Sequence, residues 1–402
     1  MNSNNRRSFL KKSVMGLSGA ALIPAALQGS SSPATPEKTG GLPSRILGKT
    51  GIRTPLISFG TSGSLDRGLI KSAYDAGVNV FFTATYYGEG NNEKMLGECL
   101  KGLPRDSFVL GTAVPSDAID NRTGTFQRSF DVKAYIEKAE GSLARFGLDY
   151  VDFFLFPFGG KRETVLNEGV LKTLEQLKQQ GKTRYVGIAS HSDTEEALKA
   201  VADSGVYDLA MISYNYKSAN IDALNSAIAE AAKAGIGIVA MKTTAGVYRN
   251  KTGPQYNSDA LLKWVLQNEN ISSIVSGMSS LEHLKKNLAM IRNLKMSDQE
   301  IEDLKVVAMG SETGLYCQQC RKCIPQCPHN LDIPSIMRSY MYAYGYKNTQ
   351  QAFHTLAETG ISEKTCEDCG TCNVKCISGF DIKQKISDIS RLRLVPEEFL
   401  KA

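Results

Sequence analysis

The sequence predicts an α/β protein, an eight-stranded parallel (β/α)8 barrel followed by a small, mainly α-helical C-terminal domain. Between residues 56 and 287, short apolar runs rich in β-branched and aromatic residues alternate with amphipathic stretches of helical period. Beyond residue 310, eight of the nine cysteines fall into two runs of identical spacing. A chain of 402 residues is long enough for one large core and a smaller appendage.

The N-terminus reads Asn5-Arg6-Arg7-Ser8-Phe9-Leu10-Lys11-Lys12, then a mildly apolar stretch over 14–27 and a linker through Ser30-Ser31-Ser32-Pro33. This order resembles the twin-arginine export signal of bacteria; a disordered basic tail is the plainer alternative. The resemblance implies a signal peptide over 1–29, a linker over 30–42 and a periplasmic mature protein. The route carries proteins already folded, which suits cofactors inserted before export. The remaining charge is balanced, 47 basic against 41 acidic residues spread along the chain, and that argues against nucleic acid as a partner. No later apolar stretch approaches the roughly 20 residues that span a bilayer, so no transmembrane span is expected in the mature chain.

The barrel is expected over 43–310. Its strands are read at 56–59, 79–82, 108–112, 151–156, 184–189, 209–214, 237–241 and 272–275. Helices fall between them, among others at 131–146, 165–180, 194–202 and 221–234, with Gly147, Gly181 and Gly235 as stops. Eight strand–helix units close into a TIM barrel, with its site at the strands' C-terminal ends. A doubly wound sheet is the alternative, but no Gly-x-Gly-x-x-Gly opens the first helix.

Four segments carry a family resemblance: Arg45-Ile46-Leu47-Gly48-Lys49-Thr50-Gly51, Gly77-Val78-Asn79 before Tyr87-Gly88, Leu148-Asp149-Tyr150-Val151-Asp152, and Ser213-Tyr214-Asn215. In that order and spacing they resemble the aldo/keto reductases, and the cysteine-rich tail resembles the ferredoxin-bearing branch of that family. The resemblance implies NADPH-dependent carbonyl reduction by a set of Asp, Tyr, Lys and His, in which the Tyr gives a proton to the carbonyl oxygen. Only Tyr87 is retained. Phe82 falls in the Asp slot, Ala113 in the Lys slot and Pro157 in the His slot, give or take one position at Phe156. A neighbouring ammonium lowers a tyrosine pKa that is otherwise near ~10, so Lys242, just after strand seven, is the expected substitute beside Tyr87. His191, just beyond strand five, is a candidate proton donor or substrate contact.

The same family holds a nicotinamide carboxamide with Ser, Asn and Gln, where this chain has Ser190, His191 and Met211. Its dinucleotide end carries Arg or Lys after Gly to clamp a 2′-phosphate, with a further Arg before a final Asn. Here the run is Gly277-Met278-Ser279-Ser280, then His283 and Asn287. The expected cofactor contacts are therefore Ser190, Gly277 and Asn287, with NAD(P)H a conditional cofactor, since Met278 and Met211 offer no charged or amide hydrogen bond.

The two cysteine runs are Cys317, Cys320, Cys323 and Cys327, followed by Pro328, and Cys366, Cys369, Cys372 and Cys376, followed by Ile377. Such runs suit cubane clusters, because the short gaps bring three thiolates from one turn of backbone and a longer gap supplies a remote fourth. Structural zinc and disulfides are the alternatives. By resemblance to two-cluster ferredoxins, Cys317, Cys320, Cys323 and Cys376 hold one 4Fe-4S cluster, and Cys366, Cys369, Cys372 and Cys327 the other. A helical insert is expected over 333–358, within a ferredoxin-like domain at 311–385 and ahead of a tail at 386–402. Cys99 reads as a buried helix thiol, and His329 as a residue that tunes or shields a cluster.

Together these readings describe an exported iron-sulfur oxidoreductase passing electrons between two 4Fe-4S clusters and a carbonyl or sugar-like small molecule, with a redox partner protein outside the site. The alternatives are a non-catalytic electron-transfer or scaffold protein with a degenerate barrel, and an ordinary NAD(P)H-dependent carbonyl reductase.

Overall fold

A computed structural model of the chain describes residues 41–63, 66–245, 257–309, 315–367, 369–370 and 372–400. The expected signal at 1–29 and most of the linker at 30–42 lie outside them. The fold opens with an antiparallel hairpin, β1 (Ser44–Ile46) against β2 (Arg53–Pro55), which alternation alone does not reveal. Arg45 ties it down, donating to the carbonyls of Leu266, Asn268 and Ile271. Leu47 plugs the base of the barrel, where Gly237 leaves it room: a Cβ on Gly237 would sit 2.7 Å from the Leu47 side chain.

The barrel follows as β3 (Ile57–Gly60), β4 (Val80–Ala84) and β5 (Val109–Ala113), with a small hairpin of β6 (Ile119–Asp120) and β7 (Thr125–Phe126) in the next loop. It continues as β8 (Val151–Pro157), β9 (Thr183–Ser190), β10 (Leu209–Ser213), β11 (Gly237–Met241) and β12 (Ser273–Ser276). The eight long strands pair in parallel and close, β12 returning to β3, with the hairpin outside the ring. Each lies within a few residues of its expected position. Side chains alternate across the sheet: Val80, Phe82, Phe153, Leu155 and Met211 fill the interior, while Phe81, Leu110, Phe154, Ile188 and Ile212 meet the surrounding helices.

Helix signals are satisfied locally. Asp131 caps Val132–Phe146 by accepting from the Ala134 N–H, and left-handed Gly147 ends that helix. The stretch read as one helix over 165–180 is a short turn, Arg162–Val165, and a helix, Glu168–Gln179, capped by Asn167. Asp152 is fully buried near the start of β8; its carboxylate accepts from the Leu110 N–H at 2.9 Å, Arg105 at 2.8 Å and Arg184 at 3.0 Å. Its place in the family motif is thus structural, since a buried carboxylate persists only when paired.

In the C-terminal domain, the helix Ile333–Tyr340 runs into a π-helical turn, Met341–Gly345, and Thr349–Ala357 follows, so the insert read at 333–358 is two helices with a widened turn between them. The helix Ile382–Ser390 crosses the expected boundary at 385, because Ile386 and Ile389 complete the domain's core with Ile336, Leu356 and Phe380. Cys99 is half-buried on Asn91–Leu100. Among the described residues, no helix is long and apolar enough to cross a membrane.

Gly111 on β5 stands opposite Phe82 on β4, and a Cβ at Gly111 would lie 2.6 Å from the Phe82 ring. Gly111→Ala is therefore expected to destabilise the barrel by roughly 1–3 kcal/mol through overpacking, read as a lower midpoint in a far-ultraviolet thermal melt.

Candidate functional site

Loops at the C-terminal ends of the barrel strands surround a cavity of about 370 Å³. From the barrel come Thr61, Phe82, Tyr86, Tyr87, Ala113, His191, Met211, Lys242 and Thr243, and from the C-terminal domain Tyr342 and Tyr346. That domain therefore lies over the mouth and supplies part of its wall, which no barrel motif announces. Four loop residues at this end, Glu89, Phe158, Asp193 and Lys242, have positive φ between 49° and 65°. Backbone strain of this kind, roughly 1–3 kcal/mol each, concentrates at functional sites.

Tyr87 lines the cavity, its ring edge-on to Tyr86 at 5.1 Å between centroids. Burial pushes its hydroxyl well above the usual tyrosine range; neighbouring Tyr86 and Tyr342 push the same way, and Arg338 opposes them. The hydroxyl accordingly stays protonated and can donate. The cation acting on it is Arg338 of the C-terminal domain. The ammonium expected from Lys242 instead lies over the rings of Tyr342, at 4.7 Å, and Tyr346, at 5.6 Å. Burial lowers Lys242 to about 7, with Arg338 adding to the fall. His191 is held well below its usual value by burial, then by Lys242 and Arg338, so it is neutral at pH 7, and its Nδ1 is buried without a partner.

Phe82 and Ala113, expected in the acid and amine slots, line the cavity, whereas Pro157, buried at the end of β8, does not. Among the expected cofactor contacts, Gly277 and Asn287 line the cavity and Ser190 does not, because its hydroxyl is turned onto the Ser192 carbonyl at 2.7 Å. Met278, read at the dinucleotide end as unable to supply a charged bond, points into the core, 1 % exposed, and Ser279 faces the cavity beside it. Lys286, which the spacing did not single out, lines the same end and contacts Ser258 at 3.0 Å and Asp259 at 3.3 Å. For a dinucleotide, the residues fit the phosphate end, with bare Gly277 backbone, Ser279, His283 and Lys286. At the carboxamide end the fit is poor, because Ser190 is committed and Met211 is a thioether, which leaves His191 alone of the three expected positions.

The eight cysteines separate into two groups. Cys320, Cys323 and Cys376 are the electrostatic neighbours of Cys317, and Cys327, Cys369 and Cys372 those of Cys366. Burial, then mutual repulsion, pushes the Cys317 thiol up to about 12 and that of Cys366 to about 11, so thiolates here require a cationic partner. All nine cysteines are free. Among the described residues no three sulfurs lie within 4.8 Å of one another, whereas a tetrahedral zinc with Zn–S near 2.3 Å would hold them about 3.8 Å apart. The donors and their spread suit a multinuclear iron-sulfur core. Backbone N–H groups of Gln319 and Ser378 point at the sulfurs of Cys317 and Cys376, both at 3.4 Å.

The first group touches the barrel site. Cys317 shares a cavity of about 10 Å³, scarcely a water's room, with His191, Ser213, Lys242 and Arg338. Arg321, between Cys320 and Cys323, reaches across the domain boundary to the Asp193 carboxylate, the Ser192 hydroxyl at 2.9 Å and the Asn121 carbonyl at 3.4 Å. Gln318 adds a bond to the Lys217 carbonyl at 2.7 Å.

Residues 64–261 match the aldo/keto reductase family, and residues 316–381 match a 4Fe-4S dicluster domain. The chain is 28% identical to L-galactose dehydrogenase of Arabidopsis thaliana, over 65% of this chain and 92% of that one. It is 25% identical to L-glyceraldehyde 3-phosphate reductase of Escherichia coli, over 70% and 97%. Among solved structures, an aldo-keto reductase of Bacillus halodurans superposes with a TM-score of 0.54 at 22% identity, covering 66% of this chain and 95% of that one. One of Klebsiella pneumoniae in complex with NADPH gives 0.52 at 22% identity, over 66% and 94%. At that identity the likeness is one of fold.

Burial raises the Asp193 carboxyl, but Lys161 and Arg321 outweigh it and hold the pKa below the usual range. Its contribution to docking the two domains is therefore complete above about pH 4 and is lost as the pH falls through the lower folded value. Arg321→Ala should cost roughly 1–3 kcal/mol of docking at neutral pH, seen as faster hydrogen exchange over residues 191–193, and the difference from wild type should shrink in acid.

Proposed function

We propose that this chain, an aldo/keto reductase domain joined to a 4Fe-4S dicluster domain, is an oxidoreductase in which two clusters exchange electrons with a small polyhydroxy carbonyl compound in the barrel mouth. One observation carries the reading: Cys317 of the first cysteine group and the cavity residues His191 and Lys242 line a common space. Clusters held by the two groups supply one-electron steps, and a carbonyl–alcohol interconversion takes two electrons and two protons. Tyr87, protonated at every working pH, is the donor to the carbonyl oxygen, and neutral His191 is the second group able to hold or pass a proton. The lid of Tyr342 and Tyr346 keeps water from the reacting carbon. The relatives named for L-galactose and L-glyceraldehyde 3-phosphate support a polyhydroxy carbonyl as substrate.

The residues at 277–287 favour one second reading, in which a dinucleotide lies with its phosphates toward Lys286. Export and periplasmic residence are further parts of the proposal, supported by the Arg6-Arg7 segment and by a cavity that lacks the usual carboxamide partners. A redox partner protein then supplies or takes the electrons.

Protein purified without oxygen and reduced at its clusters should be reoxidised by at least one member of a panel of aldoses, ketoses and their acids. Tyr87→Phe should slow that reoxidation by about 10²- to 10⁴-fold without bleaching the clusters. No reoxidation by any compound would favour an electron-transfer or scaffold role. Saturable quenching of protein fluorescence by NADPH would favour the dinucleotide reading. Cell fractionation should find the protein in the periplasm, and Arg6→Lys with Arg7→Lys should retain it inside.

A further inference from the structure

We propose that the molecule bound in the barrel cavity is an acid, a polyhydroxy carbonyl compound carrying a carboxylate or phosphate that the Lys242 ammonium holds. This rests on the reading of the cavity as the reaction site, and adds to it the substrate's charge and the residue that recognises it. Among the described residues, the cavity is lined by two lysines and two histidines, and by no aspartate or glutamate. One of those lysines, Lys286, already has the Asp259 carboxylate and the Ser258 hydroxyl.

Lys242 is different. Among the described residues its side chain makes no hydrogen bond and no ion pair, and its ammonium rests on the faces of Tyr342 and Tyr346. An ammonium carries three donors, and here none of them has a hydrogen-bond partner among the described residues. The backbone at Lys242 is left-handed, with φ of 57°, a conformation that a glycine would adopt without strain. A strained lysine with unspent donors beside a cavity fits a group retained for a ligand.

Charge balance points the same way. Arg338 is 8 % exposed, and among the described residues its side chain hydrogen-bonds only the Ser335 hydroxyl, at 3.1 Å, with the Phe158 ring 5.7 Å away. The acid that acts on it, Glu358, makes no ion pair with it. Buried Arg338 and half-buried Lys242 thus neighbour each other with no carboxylate in ion-pair contact with either among the described residues. The two cations differ in position: Arg338 lines the small cavity beside Cys317 and not the large one, while Lys242 lines both, its ammonium lying on Tyr342 and Tyr346, which line the large one. Of the two, Lys242 is therefore the cation within reach of a molecule in the large cavity. Ser62, Thr243 and Thr244 around the same cavity offer hydroxyls suited to a polyol.

The test is calorimetric binding of galactose, galacturonate and galactose 6-phosphate to the full-length protein, purified without oxygen and carrying its clusters. At least one of the two acids should bind roughly 10- to 100-fold more tightly than galactose, and the better one identifies the anion as carboxylate or phosphate. Lys242→Met should abolish that preference and Lys242→Arg should keep part of it, with cluster absorbance confirming that both variants are folded. If all three sugars bind alike, or Lys242→Met keeps the preference, the acid is ruled out while the cavity remains a sugar site. If none binds and no compound reoxidises the reduced protein, the reading of the cavity as a reaction site fails with it.

Discussion

Burial of positive charge beneath the C-terminal domain is the constraint from which the rest of the site follows. With Tyr342 and Tyr346 across the mouth, Lys242 and His191 lose the water that would otherwise stabilise their charged forms. One consequence is a neutral imidazole, another a lysine poised near neutrality, and a third a tyrosine that keeps its proton. None of these states belongs to the barrel alone. Arg321, anchored on Ser192 and Asp193, holds the lid in register with the loop that carries His191.

The barrel's own contribution to the cavity is largely apolar: Phe82 packs against Gly111, and Ala113 and Leu155 line the wall beside it. Cations at the two cavities lie instead on the loop after β11, as Lys242, and in the helical domain over the mouth, as Arg338. The electrostatic character of the site is therefore set where the two domains meet rather than inside the barrel.

Much of this was legible in the sequence, for identifiable reasons. Parallel strands buried on both faces read as continuous apolar runs, so all eight were visible, and cysteine spacing is a local property of the chain that survives any error in fold. What stayed hidden depends on where distant segments meet. Arg338, Tyr342 and Tyr346 sit in an insert that reads only as helix, and nothing in their spacing places them over Tyr87. The orientation of Met278 and Ser190 is hidden for a different cause: a loop's residue types do not tell which side chain turns inward, and one position separates buried Met278 from Ser279 at the cavity. Lys242 is legible as a residue of the mouth, but only the packed lid shows that Arg338 is a cation acting on Tyr87.

The cavity wall joins residues that leave the ribosome far apart in time. Phe82, Tyr86 and Tyr87 emerge early, Met211 and Lys242 later, and Tyr342 and Tyr346 only near the end of synthesis. A barrel already folded by then, as domains generally fold in order of synthesis, waits with an aromatic, cationic rim open to solvent. The last sixty-odd residues finish the chamber, so a truncated or unclosed polypeptide carries a sticky mouth that a complete one conceals.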